Sequence, residues 1–201
     1  MTTAKITFAD ILRPAEKNLA FTYDIFLILV GSLFIAASAQ IAIYLPFSPV
    51  PVTGQTFAVL FTGFLLGPKR AVLSLVLYLG QGIAGLPVFA AVPKAGVQVL
   101  FGPTGGYIVG FIPAAFITGL LARQGWDRGV WSTVAAMIIG NCILYTFGLI
   151  WLCCFLGPSY LVLQKGLYPF LIGDILKIVL AALVLPTGWK LLAILKNPQD
   201  A

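Results

Sequence analysis

The sequence predicts an all-α integral membrane protein of six transmembrane helices, with a long ordered outer loop between the third and the fourth. Three observations predict it. Of the 201 residues, 60% are hydrophobic and 9% charged, where soluble domains average about 25% charged; the mean hydropathy is +1.04. Breaks rich in Pro and Gly divide the apolar sequence into helix-length pieces. With the N-terminus in the cytoplasm, Lys5, Arg13, Lys17, Lys69, Arg70, Arg123, Arg128, Lys190 and Lys196 fall inside and only Lys94 and Lys165 fall in outer loops, as positive-inside sorting requires. Both termini are then cytoplasmic. The length suits one transmembrane domain over residues 1–201: a cytoplasmic or interfacial segment 1–23 and a bundle over 24–195.

Composition also excludes. There is no His, so His-based metal sites and catalytic triads are ruled out. Cys142, Cys153 and Cys154 share one apolar stretch without a CxxC spacing and read as small buried hydrophobes. No GxxxxGK[ST] phosphate loop occurs, so the chain has no ATPase of that kind, and it is not read as an enzyme. No basic run with interleaved aromatics points to nucleic acid. The charged N-terminal stretch is not a cleavable signal, and the first span is expected to serve as an uncleaved one.

In order, Ile6, Phe8, Ile11 and Leu12 can line a short interfacial helix. The first span is expected over Asp24–Tyr44. Its Ser32, Ala36, Ala39 and Ala42 allow close helix approach, either within this protein or to a partner subunit. Pro46, Pro49 and Pro51 break the chain. A short second helix, Thr53–Leu66, opens on Thr53, Gln55 and Thr56; such an N-terminus favours a polar or anionic group, or Thr53 merely caps it. Gly67-Pro68-Lys69-Arg70 is a turn, and the third helix follows over Ala71–Ile83. The connection Ala84–Thr104 is apolar yet broken by Gly and Pro, which suits a packed lid. The fourth helix opens at Thr104-Gly105-Gly106-Tyr107 and runs to Leu121; the paired glycines suit close approach to a neighbour or a ligand. The fifth spans Trp131–Phe155, with Asn141 and Tyr145 on one face, where the Asn is interhelical glue or a cavity group. A loop over Leu156–Pro169 precedes the sixth, which ends near Trp189.

The sixth helix holds the feature that the rest surrounds. Asp174 and Lys177 lie inside the apolar run Phe170–Leu185. A charge at the centre of a membrane helix costs about 2.5–3.5 kcal/mol on insertion scales. Three residues apart, the two share a face about 4.5 Å apart along the axis. They either neutralise each other against a neighbouring helix or hold a polar guest under the outer loops.

Pro49-Val50-Pro51-Val52-Thr53-Gly54-Gln55-Thr56, then Leu86-Pro87-Val88-Phe89-Ala90, then Gly102-Pro103-Thr104-Gly105-Gly106-Tyr107, then Gly173-Asp174 with Lys177, together resemble the BioY family, the biotin-binding S components of energy-coupling-factor vitamin transporters. The resemblance covers Gln40 to Lys177 in the same order. It implies that Asp174 and Lys177 contact the ligand, that biotin is substrate rather than cofactor, and that no cofactor is needed. It implies a transmembrane coupling subunit and ABC-type ATPases as partners. It also implies a first-helix docking motif, for which Ser32, Ala36, Ala39 and Ala42 are the nearest match. Where many relatives are glycine-rich after Phe89, this chain reads Ala90-Ala91-Val92-Pro93-Lys94-Ala95-Gly96, which bears on how the acid tail is held.

Biotin carries a ureido ring with two N–H groups and one C=O, a thioether ring and a carboxylate. Asp174 can accept from the ureido N–H groups while Lys177 donates to a ligand oxygen. Asn141, Gln55, Thr53 and Tyr145 offer further polar contacts, with Gly105 and Gly106 beside them. Phe89, Val92 and Tyr107 can cover the apolar ring, and Lys94 can meet the carboxylate. The expectation is a high-affinity biotin-capture subunit, multi-pass in the bacterial plasma membrane, with homo-oligomer formation left open. The alternative is a stand-alone proton-coupled carrier using Asp174; the lack of a second membrane carboxylate for a relay counts against it.

Overall fold

The computed structural model describes residues 6–90 and 96–196, the side chains of 195 and 196 excepted. Among the described residues there are seven α-helices: α1 (Phe8–Ile11), α2 (Lys17–Gln40), α3 (Gln55–Ile83), α4 (Gly105–Arg123), α5 (Val130–Leu156), α6 (Tyr160–Gly166) and α7 (Tyr168–Lys196). Five of them, α2, α3, α4, α5 and α7, are long and apolar enough to cross a membrane.

The expected second and third helices form the single run α3, folded at Gly67. There φ is +78°, outside the helical region, a conformation that costs glycine little and other residues much. In a straight helix Gln55 and Tyr78 would lie about 34 Å apart; here the Gln55 amide donates to the Tyr78 hydroxyl at 2.6 Å. The two arms, 55–66 and 68–83, are therefore antiparallel. Pro68 follows the break, where a missing N–H is harmless.

Three boundaries move. The first span begins at Lys17 rather than Asp24, because Arg13 and Arg70 both pair with the Asp24 carboxylate and hold it at the helix's charged end. The expected loop 156–169 contains α6. The last helix starts at Tyr168. A two-stranded ribbon, β1 (Ala42–Ile43) with antiparallel β2 (Val52–Thr53), ties the end of α2 to the start of α3.

Small residues set the spacing of the bundle. A side chain at Gly63 would meet the Ala115 carbonyl at 2.7 Å, and one at Gly119 would meet the Pro68 nitrogen at 2.5 Å. Without a hydrophobic drive between helices in lipid, such close packing supplies the association. Ser32, Ala36 and Ala39 belong to the same pattern. All three are buried, and the Ser32 hydroxyl donates to Gln81 of α3 at 3.0 Å. Ser32, Ala36 and Ala39 thus pack within the protein, one of the two roles expected of the stripe; Ala42 lies in β1, half-buried.

The bundle has two ends. At one, Phe8 packs on Trp189 with centroids 4.4 Å apart. Trp189 donates to Asp127 at 2.7 Å, and Arg70 bridges Asp10 and Asp24 at 2.8 and 2.7 Å. At the other, Gln40 donates to the Pro87 carbonyl at 3.2 Å, Ser48 to that of Lys165 at 2.7 Å, and Trp151 to that of Gly102 at 2.9 Å.

Candidate binding site

The second end holds a pocket between α3, α4, α5 and α7. It encloses about 580 Å³ not filled by protein atoms, the part open to solvent included. Each wall follows from helical periodicity. Phe170 and Lys177 of α7 lie seven residues apart, so two turns place both on the pocket face. Tyr107 and Phe111 of α4 are four apart, and Leu144 and Tyr145 close the α5 side. The α3 start supplies Thr53, Gln55 and Thr56. Val50 and Pro51 come from the Pro-rich loop, and Ala90, Val99 and Thr104 from the segment between α3 and α4.

The rings of Tyr107, Tyr145 and Phe170 form a triangle with every centroid pair 6.3 Å apart. This is a preferred spacing for aromatic contacts. The Tyr107 hydroxyl donates to the Gly166 carbonyl at 2.7 Å and is spent there. Tyr107 therefore offers the pocket its ring and no hydroxyl proton.

The polar end is a four-residue network. Lys177 Nζ donates to Thr56 Oγ1 at 2.7 Å and lies 3.3 Å from Asp174 Oδ1. Thr56 Oγ1 is 3.5 Å from the same carboxylate oxygen. The Tyr145 hydroxyl donates to Asp174 Oδ2. Asp174 is 4% exposed and does not line the pocket; Lys177 does. The two charges of the pair are thus placed differently with respect to the pocket. The acid stands behind the wall and orients Tyr145 and Lys177, and those two meet the pocket.

The expected residues divide accordingly. Thr53, Gln55, Tyr107, Tyr145 and Lys177 line the pocket. Gln55 is largely committed, its amide N–H to Tyr78 and its carbonyl oxygen to Thr53 at 3.3 Å. Phe89 does not line it; its ring packs edge-on to Tyr78 at 5.4 Å and over Gly82, so it supports the wall from outside. Gly105 and Gly106 are also packing positions. Side chains there would meet the Leu100 carbonyl and the Trp151 Cβ, at 1.8 and 2.1 Å. Both glycines make their close approach to neighbouring parts of the protein. Asn141 faces a separate, almost wholly apolar cleft between α5 and α7, shared with Asp174, where its Oδ1 has no partner among the described residues. Lys94 and Val92 lie outside the described residues.

Sequence reasoning placed Thr56 at a polar helix start without pairing it with Lys177, and passed over Phe111, Leu144 and Phe170 as walls. A signal existed for two of them: Phe170 precedes Asp174 by four, and Phe111 follows Tyr107 by four.

Comparison with known proteins places this geometry. The family model described as "BioY family" matches residues 8–194. The chain is similar to "Biotin transporter BioY" of Thermotoga maritima, 40% identical over 142 residues, covering 71% of this chain and 82% of that protein. It is similar to "Probable biotin transporter BioY" of Pyrococcus horikoshii, 37% identical over 156 residues, covering 76% and 90%. Its fold resembles the "S-component for biotin from an ECF-type ABC transporter", with a TM-score of 0.76 at 24% identity, covering 88% and 95% of the two chains.

Proposed function

The chain belongs to the BioY family, and from that premise we propose that it is a multi-pass membrane transporter subunit that captures biotin. The observation that carries the reading is the ammonium of Lys177 on the pocket wall, held by Thr56 and backed by Asp174, opposite a triangle of aromatic rings. A bicyclic ligand with one polar ring edge fits this division. Lys177 donates to the ureido oxygen. Thr53, Thr56 and Tyr145 oxygens accept from its N–H groups. Tyr107, Phe111 and Phe170 cover the thioether ring. Charge-assisted donation is the stronger kind of hydrogen bond.

The arms of α3 are read as separate passes. The reversal at Gly67 supports that reading and brings the passes to six, within one domain, with both termini on the basic, cytoplasmic end. The pocket then faces outward. Capture alone does not drive uptake. A coupling subunit and ABC-type ATPases are proposed to energise it, as the family resemblance implies.

Calorimetry of the purified chain with biotin tests the reading, and absence of binding refutes it. In ATP-free vesicles the chain alone is expected to bind without concentrative uptake. Uptake driven by a pH gradient would instead support the stand-alone carrier.

A further inference from the structure

At the end of the bundle opposite the biotin pocket lies a second, polar pocket with about 800 Å³ not filled by protein atoms, open solvent included. Its charged lining is Asp10, Arg13, Asp24, Lys69, Arg70 and Arg123. The acids are spent. Arg70 donates to Asp10 at 2.8 Å and to Asp24 at 2.7 Å, and Arg13 holds Asp24 at 2.8 Å. Two cations remain. Neither Lys69 nor Arg123 makes an ion pair with any described residue, and Arg123 Nε is buried without a hydrogen-bond partner. A buried, unpaired guanidinium N–H is a group in want of an acceptor.

The rest of the lining is apolar: Ile28 of α2 and Leu66 and Leu73 of α3. Leu73 is half exposed on the surface of the bundle. The pocket therefore joins an unneutralised cationic floor to an apolar wall that continues into the membrane. A free anion would use only the floor. An amphiphile uses both, its phosphate on Lys69 and Arg123 and its acyl chain along Ile28 and Leu73. Basic pockets between membrane helices on the cytoplasmic side are suited to anionic headgroups.

We propose that this pocket binds the phosphate of an anionic membrane lipid, held by Lys69 and Arg123. The lipid would close the gap between α2, the Gly67 turn and the C-terminal end of α4, since Arg123 lies beside Gly67. This site is independent of the biotin reading.

The test uses the full chain in nanodiscs of equal parts phosphatidylcholine and phosphatidylglycerol, released for native mass spectrometry. The wild type should retain phosphatidylglycerol preferentially. K69Q/R123Q should reduce that preference about tenfold or more, at the attraction usual for basic residues near an anionic surface. K190Q removes one charge elsewhere on the same end and should leave the preference intact. An unchanged preference in the double variant overturns the proposal, as does an equal loss in K190Q. Thermal stabilisation of the detergent-solubilised chain by inorganic phosphate as large as by phosphatidylglycerol would assign the site to a free anion and overturn the lipid. Should the double variant fail to fold, the wild type decides alone. A higher Tm in phosphatidylglycerol than in phosphatidylcholine supports the site, and equal values overturn it.

Discussion

Lys177 is bound more closely to Thr56, on another helix, than to Asp174 on its own: 2.7 Å against 3.3 Å. The ammonium is thus drawn across the gap between α7 and the start of α3, onto the pocket wall. Thr56→Val keeps the shape and removes the oxygen. It is expected to weaken biotin binding about 5- to 10-fold, the worth of one hydrogen bond to a charged donor. Calorimetry checks it, and an unchanged Kd would mean that Lys177 positions itself without Thr56.

Asp174 acts through what it holds. Asp174→Asn is expected to cost at least about tenfold in biotin affinity, roughly 1.4 kcal/mol per factor of ten. Tyr145→Phe should also weaken binding. Because Tyr145→Phe removes the Tyr145–Asp174 hydrogen bond and Asp174→Asn takes away the charge that strengthens it, their effects should fall short of additivity by more than about 0.5 kcal/mol in a double-mutant cycle. Strict additivity would show that Asp174 does not act through Tyr145.

Gly106 sits against α5. Gly106→Ala would drive a methyl into the Trp151 Cβ at 2.1 Å and the Phe147 carbonyl at 2.7 Å. Overpacking of this kind costs about 1–3 kcal/mol. A fall in the Tm of the solubilised chain is expected. A loss of biotin affinity with Tm unmoved would return Gly106 to the binding site.

Asp127 lies in the turn between α4 and α5, fully buried. Burial pushes its carboxyl up to about 6, although the Trp189 N–H and Arg128 pull the other way. The folded state then binds a proton more tightly than the unfolded state, whose carboxyl titrates near 3.8. Stability from this group should therefore rise as pH falls from 7 through about 6 and level off below about 4. Asp10 behaves oppositely. Burial raises its carboxyl, but the Thr7 N–H and the Arg70 guanidinium outweigh that and hold it below its usual value, so its contribution is lost only in stronger acid. Asp127→Asn should flatten the Tm profile between pH 4 and 6. An unchanged slope there would place the titration elsewhere.

Much of this was legible in the chain. Composition and charge sorting declared a helical membrane protein, and four short motifs in order pointed to its family. Gly67-Pro68 marked a break, but not that the arms fold back until Gln55 meets Tyr78. Asp174 and Lys177 stood out because charges are costly in lipid. Their partners did not, since Thr56 and Tyr145 are 118 and 29 residues from Asp174. Gly105-Gly106 and the Ser32–Ala39 stripe showed that something comes close, without showing what.

The sequence by itself determined the solvent of this protein and the residues that need a reason to be in it. Both are set locally, by transfer energies that each side chain bears wherever the chain folds. Only the tertiary structure decided which of those residues lines the pocket. That depends on directions fixed by packing: Lys177 is turned toward the pocket and Asp174 away from it, though one helical turn separates them, because Thr56 and Tyr145 approach from different sides.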